Sequence, residues 1–217
     1  MTIRVLIADD QGIVRAGLST ILNGSPGVEV IGEAADGRTA VALARRFRPD
    51  VCLFDIRMPV LDGIEATRLL AGPDVADPIA VVVITTFDTD EYIYGALRAG
   101  ARGFLLKGAE PDQLLQAINA AVRGDALIDP AVTARLLATF ATGGPATTPF
   151  HPVDALTDRE EHVLGRVALG RTNAEIAREL HISMSTVKFH LTGLMTKLGA
   201  RNRVELAMWA YQTKRVT

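Results

Sequence analysis

The sequence predicts an α/β doubly wound five-stranded parallel sheet followed by a small all-α domain of four helices. Three observations carry this. Over residues 1–124, short β-branched runs alternate five times with segments whose apolar residues recur at three- and four-residue spacing, the pattern of parallel strands covered by helices on both faces. Residues 142–152 (TGGPATTPFHP) are rich in Gly, Pro and Thr and carry no charged side chain, which is linker composition. Beyond them, helical patterns open repeatedly on a Ser or Thr suited to capping a helix.

In chain order, the predicted strands are Ile3–Ala8, Val28–Glu33, Val51–Phe54, Ala80–Ile84 and Gly103–Leu105. The helices between and after them are Val14–Asn23, Gly37–Phe47, Gly63–Leu70, Glu91–Arg98 and Pro111–Arg123. The first domain therefore spans 1–124, and a connecting helix and linker span 125–153. The second domain, 154–217, begins with Thr157 as a cap and Glu160 three residues on as its capping-box partner, and the first helix stops at Gly170. Thr172-Asn173-Ala-Glu175 repeats the cap chemistry before a short second helix. His181-Ile182 form a tight connection, and Ser183 opens a third helix whose Val187, Leu191, Leu194 and Leu198 make a buried stripe. A last helix surrounds Val204, Leu206 and Trp209.

Composition sets the outer limits. With 48% hydrophobic and 22% charged residues in 217, the chain can bury a core, which excludes disordered, collagen-like and disulfide-stapled classes. The single cysteine, Cys52, cannot pair within the chain, and the start MTIRVLIADD has no signal-peptide pattern. The longest apolar stretch, Ile79–Ile84, is far short of the ~20 residues a membrane helix needs. A cytoplasmic protein with no membrane partner is expected. Net charge is −4 over residues 1–124, −1 over 125–153 and +3 over 154–217, so the tail is the candidate for a polyanion.

Parallel strands bring their carboxyl ends to one edge, where open α/β folds place ligands. The first strand ends in Asp9-Asp10 and the third in Asp55; the fourth ends in Thr85-Thr86 and the fifth in Lys107. Three carboxylates close together call for a cation, and an all-oxygen set suits Mg²⁺, which also takes oxygens from a phosphate. The set describes a phosphoryl site. Asp55 is the expected nucleophile, Asp10 with help from Asp9 holds Mg²⁺, and Thr85 and Lys107 bind phosphoryl oxygens. Asp62-Gly63 reads as a structural turn.

These residues, with the surrounding Leu53-Phe-Asp-Ile-Arg-Met-Pro-Val-Leu-Asp-Gly63, Val83-Ile-Thr-Thr86 and Phe104-Leu-Leu-Lys107, resemble the receiver domain of two-component response regulators. The resemblance implies the CheY-like, flavodoxin-like strand order 2-1-3-4-5 and a partner sensor histidine kinase that passes its phosphoryl group to Asp55. It also implies that the backbone carbonyl of Arg57 joins Asp10 and Asp55 around Mg²⁺, and that Thr85 and the aromatic at 104 report phosphorylation by repacking. That aromatic is Phe104, where many relatives have Tyr, so a hydroxyl hydrogen bond is not part of this switch, and Phe104 reads equally well as core.

The tail's second and third helices, joined by so short a turn, form a helix-turn-helix whose second member suits the DNA major groove. Opposite the buried stripe lie Ser185, Lys188, Phe189 and Thr192. Lys188 can reach a phosphate or the O6/N7 edge of guanine, Thr192 a base edge or thymine methyl, and Phe189 offers apolar contact. His190 lies beside this face, for a phosphate or for packing. Glu175 and Arg178, like Arg201 and Arg203, read as backbone contacts or as solvated charges. Through Leu156-Thr-x-Arg-Glu160, Gly170-x-Thr-Asn-x-Glu-Ile-Ala177, Ser185-Thr-Val-Lys-Phe-His190 and Lys197-Leu-Gly199 the segment resembles the LuxR-type helix-turn-helix, and the whole chain the NarL/FixJ group of regulators. The expected DNA-binding set is Thr172, Asn173, Ser185, Thr186, Lys188, Phe189, His190 and Thr192. His162 stands where the family usually has Glu, which removes a charge available for an ion pair within the domain.

The resemblance implies a transcriptional switch that binds double-stranded operator half-sites as a phosphorylation-dependent homodimer. It is not a turnover enzyme: aspartyl phosphatases usually carry a general-acid Asp two residues after the nucleophile, and position 57 is Arg. The main alternative is a phosphorylation-independent regulator that uses the receiver as a dimerisation scaffold.

Overall fold

The computed structural model describes residues 2–86, 89–125, 127–128, 155–200, 202–213 and 215. The chain separates into two compact units, Met1–Leu136 and Leu137–Thr217. The linker expected over 142–152 lies outside the described residues, as does most of the connecting segment.

The first unit runs β1 (Ile3–Ala8), α1 (Gly12–Asn23), β2 (Val28–Ala34), α2 (Gly37–Phe47), β3 (Val51–Phe54), α3 (Gly63–Ala71), β4 (Ala80–Thr85), α4 (Asp90–Arg98), β5 (Gly103–Leu106), α5 (Pro111–Arg123) and β6 (Leu127–Ile128). Every strand pairing is parallel, and the order is β2-β1-β3-β4-β5-β6. Alternation along β1 sends Val5 and Ile7 to one face with Leu18 and Leu22 of α1 and Leu114, Ile118 and Ala121 of α5. Leu6 and Ala8 go to the other, with Ala40, Val41 and Ala44 of α2 and Ala66 and Leu70 of α3. Both faces are covered, which is why β3 and β4 are buried at every residue.

The five expected strands lie in the expected order, and the sheet gains a sixth. β6 pairs with β5 at Gly103 and Phe104 where a connecting helix was expected to begin. Two residues are too few for a periodic signal. Its position is set instead by Leu127 N–H donating to Arg102 O at 3.2 Å, while the Arg102 guanidinium donates to Ala121 O at the end of α5, also at 3.2 Å.

The second unit contains α6 (Asp158–Ala168), α7 (Asn173–Glu179), α8 (Met184–Leu198) and α9 (Arg203–Gln212). Thr157–Glu160 and Thr172–Glu175 form reciprocal capping boxes, and Ser183 Oγ accepts the Thr186 N–H at 3.1 Å. Gly199 ends α8 in the left-handed conformation that a glycine adopts without steric cost. Val163, Leu164, Ile176, Val187, Leu191, Leu194, Leu198, Leu206 and Trp209 share one core. The buried stripe of α8 is the one its spacing predicts.

Candidate functional site

The strand ladder continues one residue past β1 and β3. Asp9 N–H donates to Ala34 O at 3.2 Å and Asp55 N–H to Ala8 O at 2.8 Å, so the first residues beyond two neighbouring strands stand side by side. Across the sheet Lys107 N–H donates to Thr85 O at 2.9 Å. The backbone thus delivers the predicted groups to one edge before any side chain interacts.

Asp9, Asp55 and Thr85 are buried, and Asp10 is exposed. The Lys107 ammonium bridges the two buried acids, 2.6 Å from Asp9 Oδ2 and 2.9 Å from Asp55 Oδ2. The other oxygens are held by backbone amides: Asp9 Oδ1 accepts from Gln11 at 2.9 Å and Asp55 Oδ1 from Ile56 at 2.7 Å. Burial disfavours the charge on Lys107, but the hydrogen bonds and negative charges of Asp9 and Asp55 outweigh it and raise its pKa above the ordinary lysine value. One carboxylate oxygen from each of Asp9, Asp10 and Asp55 lies within 4.8 Å of the others. Two or more negative charges against one ammonium leave the cluster acidic, and hard oxygen donors at this spacing fit Mg²⁺. Phe104 is fully buried in β5, in register with Val83 of β4.

Two contributors to this edge were not foreseen. Gly63, read as part of a turn, packs against the nucleophile's own backbone: a Cβ there would stand 1.9 Å from Asp55 O, and its N–H donates to Ile56 O at 2.8 Å. Only a glycine at the start of α3 allows that approach, and its signal was its place eight residues after Asp55. The Arg15 guanidinium reaches back from α1 to Asp9 O at 2.7 Å. The Arg57 side chain points to α4, where Nη2 lies 3.3 Å from the Tyr92 hydroxyl. The loop from Arg57 to Asp62 also turns sharply at Val60, whose φ of 68° accompanies a Leu61 N–H to Pro59 O bond of 2.7 Å.

In the second unit Ser185, Lys188, Phe189 and Thr192 are exposed along α8, and Thr186 and His190 are half-buried. Phe189 is 74% exposed, and His190 meets it edge-on with ring centroids 5.7 Å apart. Thr172 is exposed but engaged in its capping box. Its amide and hydroxyl, donating to the Glu175 carboxylate, hold that group below the usual Glu range.

Asn173 departs from the DNA-binding expectation. It is fully buried, and its Oδ1 accepts from Arg203 Nη1 at 2.7 Å, joining α7 to α9. The partner lies thirty residues on, beyond any local pattern, so Asn173 and Arg203 belong to the domain's interior architecture. His162 Nδ1 lies 2.6 Å from Asp158 O, and Glu160 makes an internal pair with Lys197 at 2.8 Å. Arg201 lies outside the described residues.

Residues 5–119 match the model of the response regulator receiver domain, and residues 154–210 match that of the bacterial regulatory proteins of the luxR family. The chain is 39% identical over 210 residues to the transcriptional regulatory protein LiaR of Bacillus subtilis strain 168, covering 97% of each protein. It is similar in structure to the response regulator ChrA of a heme-sensing two-component system, with 36% identity, a TM-score of 0.54 and 99% of both chains covered. A solved complex of the response regulator RcsB with DNA matches over the full length of both chains at 25% identity and a TM-score of 0.56. Among the described residues no helix is long and apolar enough to cross a membrane. The receiver match on the acid edge, the luxR match on the helix-turn-helix and the near-complete coverage of LiaR together place the chain in the NarL/FixJ family of two-component response regulators, a receiver domain joined to a LuxR-type DNA-binding domain.

Proposed function

We propose that Asp55 accepts a phosphoryl group from a partner histidine kinase and that phosphorylation promotes homodimerisation and binding to paired DNA half-sites. The observation that carries this reading is the Lys107 ammonium, which spans Asp9 and Asp55 at 2.6 and 2.9 Å beside the buried Thr85. An Asp55 carboxylate oxygen bonds to phosphorus as the bond from phosphorus to the kinase imidazole breaks and the imidazole leaves. Lys107 faces the charge carried by the new acyl phosphate, and Thr85 donates its hydroxyl to a phosphoryl oxygen. Asp10, Asp55 and the Arg57 carbonyl would hold Mg²⁺, with Asp9 supporting them. When bound, the ion offsets the negative charge of the carboxylates and incoming phosphoryl group. Movement of Thr85 toward the phosphoryl group and repacking of Phe104 would pass the event to the rest of the receiver.

On the DNA side, Lys188, Phe189, Ser185 and Thr192 are the contacts proposed for the major groove, with Thr186, His190 and the capping Thr172 at its margin. The 1–124 and 154–217 boundaries and a cytoplasmic location belong to the same reading. The test is intact-protein mass after incubation with Mg²⁺ and acetyl phosphate. A phosphoryl adduct on the wild type and none on Asp55→Asn is expected. An equal adduct on Asp55→Asn would reject Asp55 as the acceptor.

A further inference from the structure

We infer that Arg15 is a positioning residue for the Mg²⁺ site, acting through the Asp9–Asp10 peptide; the inference rests on the metal reading above. Asp9 is held at both carboxylate oxygens, by Gln11 N–H and by Lys107. Asp10 is exposed, and its carboxylate has no hydrogen-bond or ion-pair partner among the described residues. Its placement beside Asp9 and Asp55 therefore depends on the backbone that carries it.

Helix capping does not secure that backbone. The α1 N-cap is Gln11, whose side chain makes no capping hydrogen bond, and no acidic residue occupies the first turn. Arg15, one turn into α1, reaches back instead and donates Nη1–H to Asp9 O at 2.7 Å. This carbonyl belongs to the same planar peptide as the Asp10 N–H, so gripping it limits rotation of the segment that aims the Asp10 carboxylate. Arg15 is braced from the far side, its Nε 3.7 Å from Glu33 Oε2 on β2. A contact made on the edge strand is thus transmitted through one guanidinium to the acid pair.

The guanidinium has two opposed influences. Its positive charge near three carboxylates disfavours a cation, while its grip on the peptide organises the donors. The geometry assigns the larger effect to the grip, because Glu33 offsets part of the charge and the bond to Asp9 O is short. Outer contacts that orient metal ligands typically contribute 10–100-fold in affinity, and an effect relayed through a peptide belongs at about the lower bound.

The experiment is calorimetric titration of Mg²⁺ into the full-length unphosphorylated chain for the wild type, Arg15→Met, Arg15→Lys and Asp10→Asn. Arg15→Met keeps an unbranched apolar stem close to that of Arg15 and lacks its guanidinium, so it removes both the charge and the donors. Positioning predicts a Kd raised by roughly tenfold, with Arg15→Lys recovering part of the loss. If charge dominates, Arg15→Met binds Mg²⁺ more tightly than the wild type, and the inference is overturned; an unchanged Kd overturns it equally. Melting of each variant without metal separates the two roles, since a merely structural Arg15 would lower the melting temperature and leave the Kd of the folded protein where it was. Asp10→Asn should abolish uptake. Absence of Mg²⁺ binding by the wild type would remove the metal reading itself and this inference with it, whereas normal wild-type binding with an insensitive Arg15→Met removes the inference alone.

Discussion

At the receiver edge, Asp9 and Asp55 are buried and share one ammonium; on the recognition helix, Lys188 and Phe189 are exposed. The first region is assembled around its own opposed charges, so a substitution there changes folding and chemistry together. The second presents side chains that the fold does not use, so its contacts can be removed while the domain survives. Burial thus separates residues whose function can be tested cleanly from those whose loss must be corrected for stability.

The largest effect that would break this contrast is expected at Lys107. Lys107→Met leaves the buried Asp9 and Asp55 facing each other without their shared cation. Breaking a buried pair costs about 3–5 kcal/mol, and the lower end applies because the ammonium keeps 10% exposure. Urea denaturation without metal should give that loss, and Mg²⁺ should restore more stability to the variant than it adds to the wild type. A metal-free variant as stable as the wild type would mean that the acids do not depend on Lys107.

Much of this edge was legible because topology does the placing. Asp9, Asp55 and Lys107 each follow a strand directly, so assigning five parallel strands was enough to bring them together. Gly63 was legible only as a turn, its spacing from Asp55 being the one trace of its contact with Asp55 O, and Arg15 was not legible, because its role lies in a contact with a backbone oxygen that no residue pattern encodes. The two-residue β6 fell below any periodicity. In the tail, the α8 stripe separated inside from outside correctly over four turns. At the start of α7 the same method failed for Asn173: a polar residue after a Thr cap reads the same whether it faces solvent or an arginine from a distant helix.

That failure supplies a sharper test of the two classes within one domain. Asn173→Ala removes one acceptor of Arg203 and is expected to cost about 1–3 kcal/mol of stability, with DNA affinity intact once measured on folded protein. Lys188→Ala should do the reverse. Its melting temperature should stay close to the wild type, while DNA binding weakens and, for a phosphate contact, the dependence of log K on log salt becomes shallower by about one. Thermal melts paired with salt-dependent binding isotherms distinguish them. Equal destabilisation by both would erase the division between interior and reading face.

The smallest expected effect concerns the ion pair of the second domain between the buried Glu160 and the half-buried Lys197, at 2.8 Å. Burial alone would raise the Glu160 pKa, but the Lys197 ammonium and the Thr157 amide and hydroxyl lower it below the ordinary value of 4.5. A carboxylate with a depressed folded pKa stabilises the fold fully above its unfolded value and loses that contribution as pH falls through the folded one. The Lys107 contribution has the opposite sense: its raised pKa keeps it present below the ordinary lysine value and loses it as pH rises through the folded one. Glu160→Gln should therefore melt below the wild type at pH 7, with a cost of about 1 kcal/mol for a partly exposed pair that also closes a capping box. The two melting curves should converge as the pH drops below 4.5, because protonation does to the wild type what the substitution did to the variant. A gap that persists undiminished into acid would assign the loss to the shape of the capping box, and the charge on Glu160 would then have no part in holding α6 to α8.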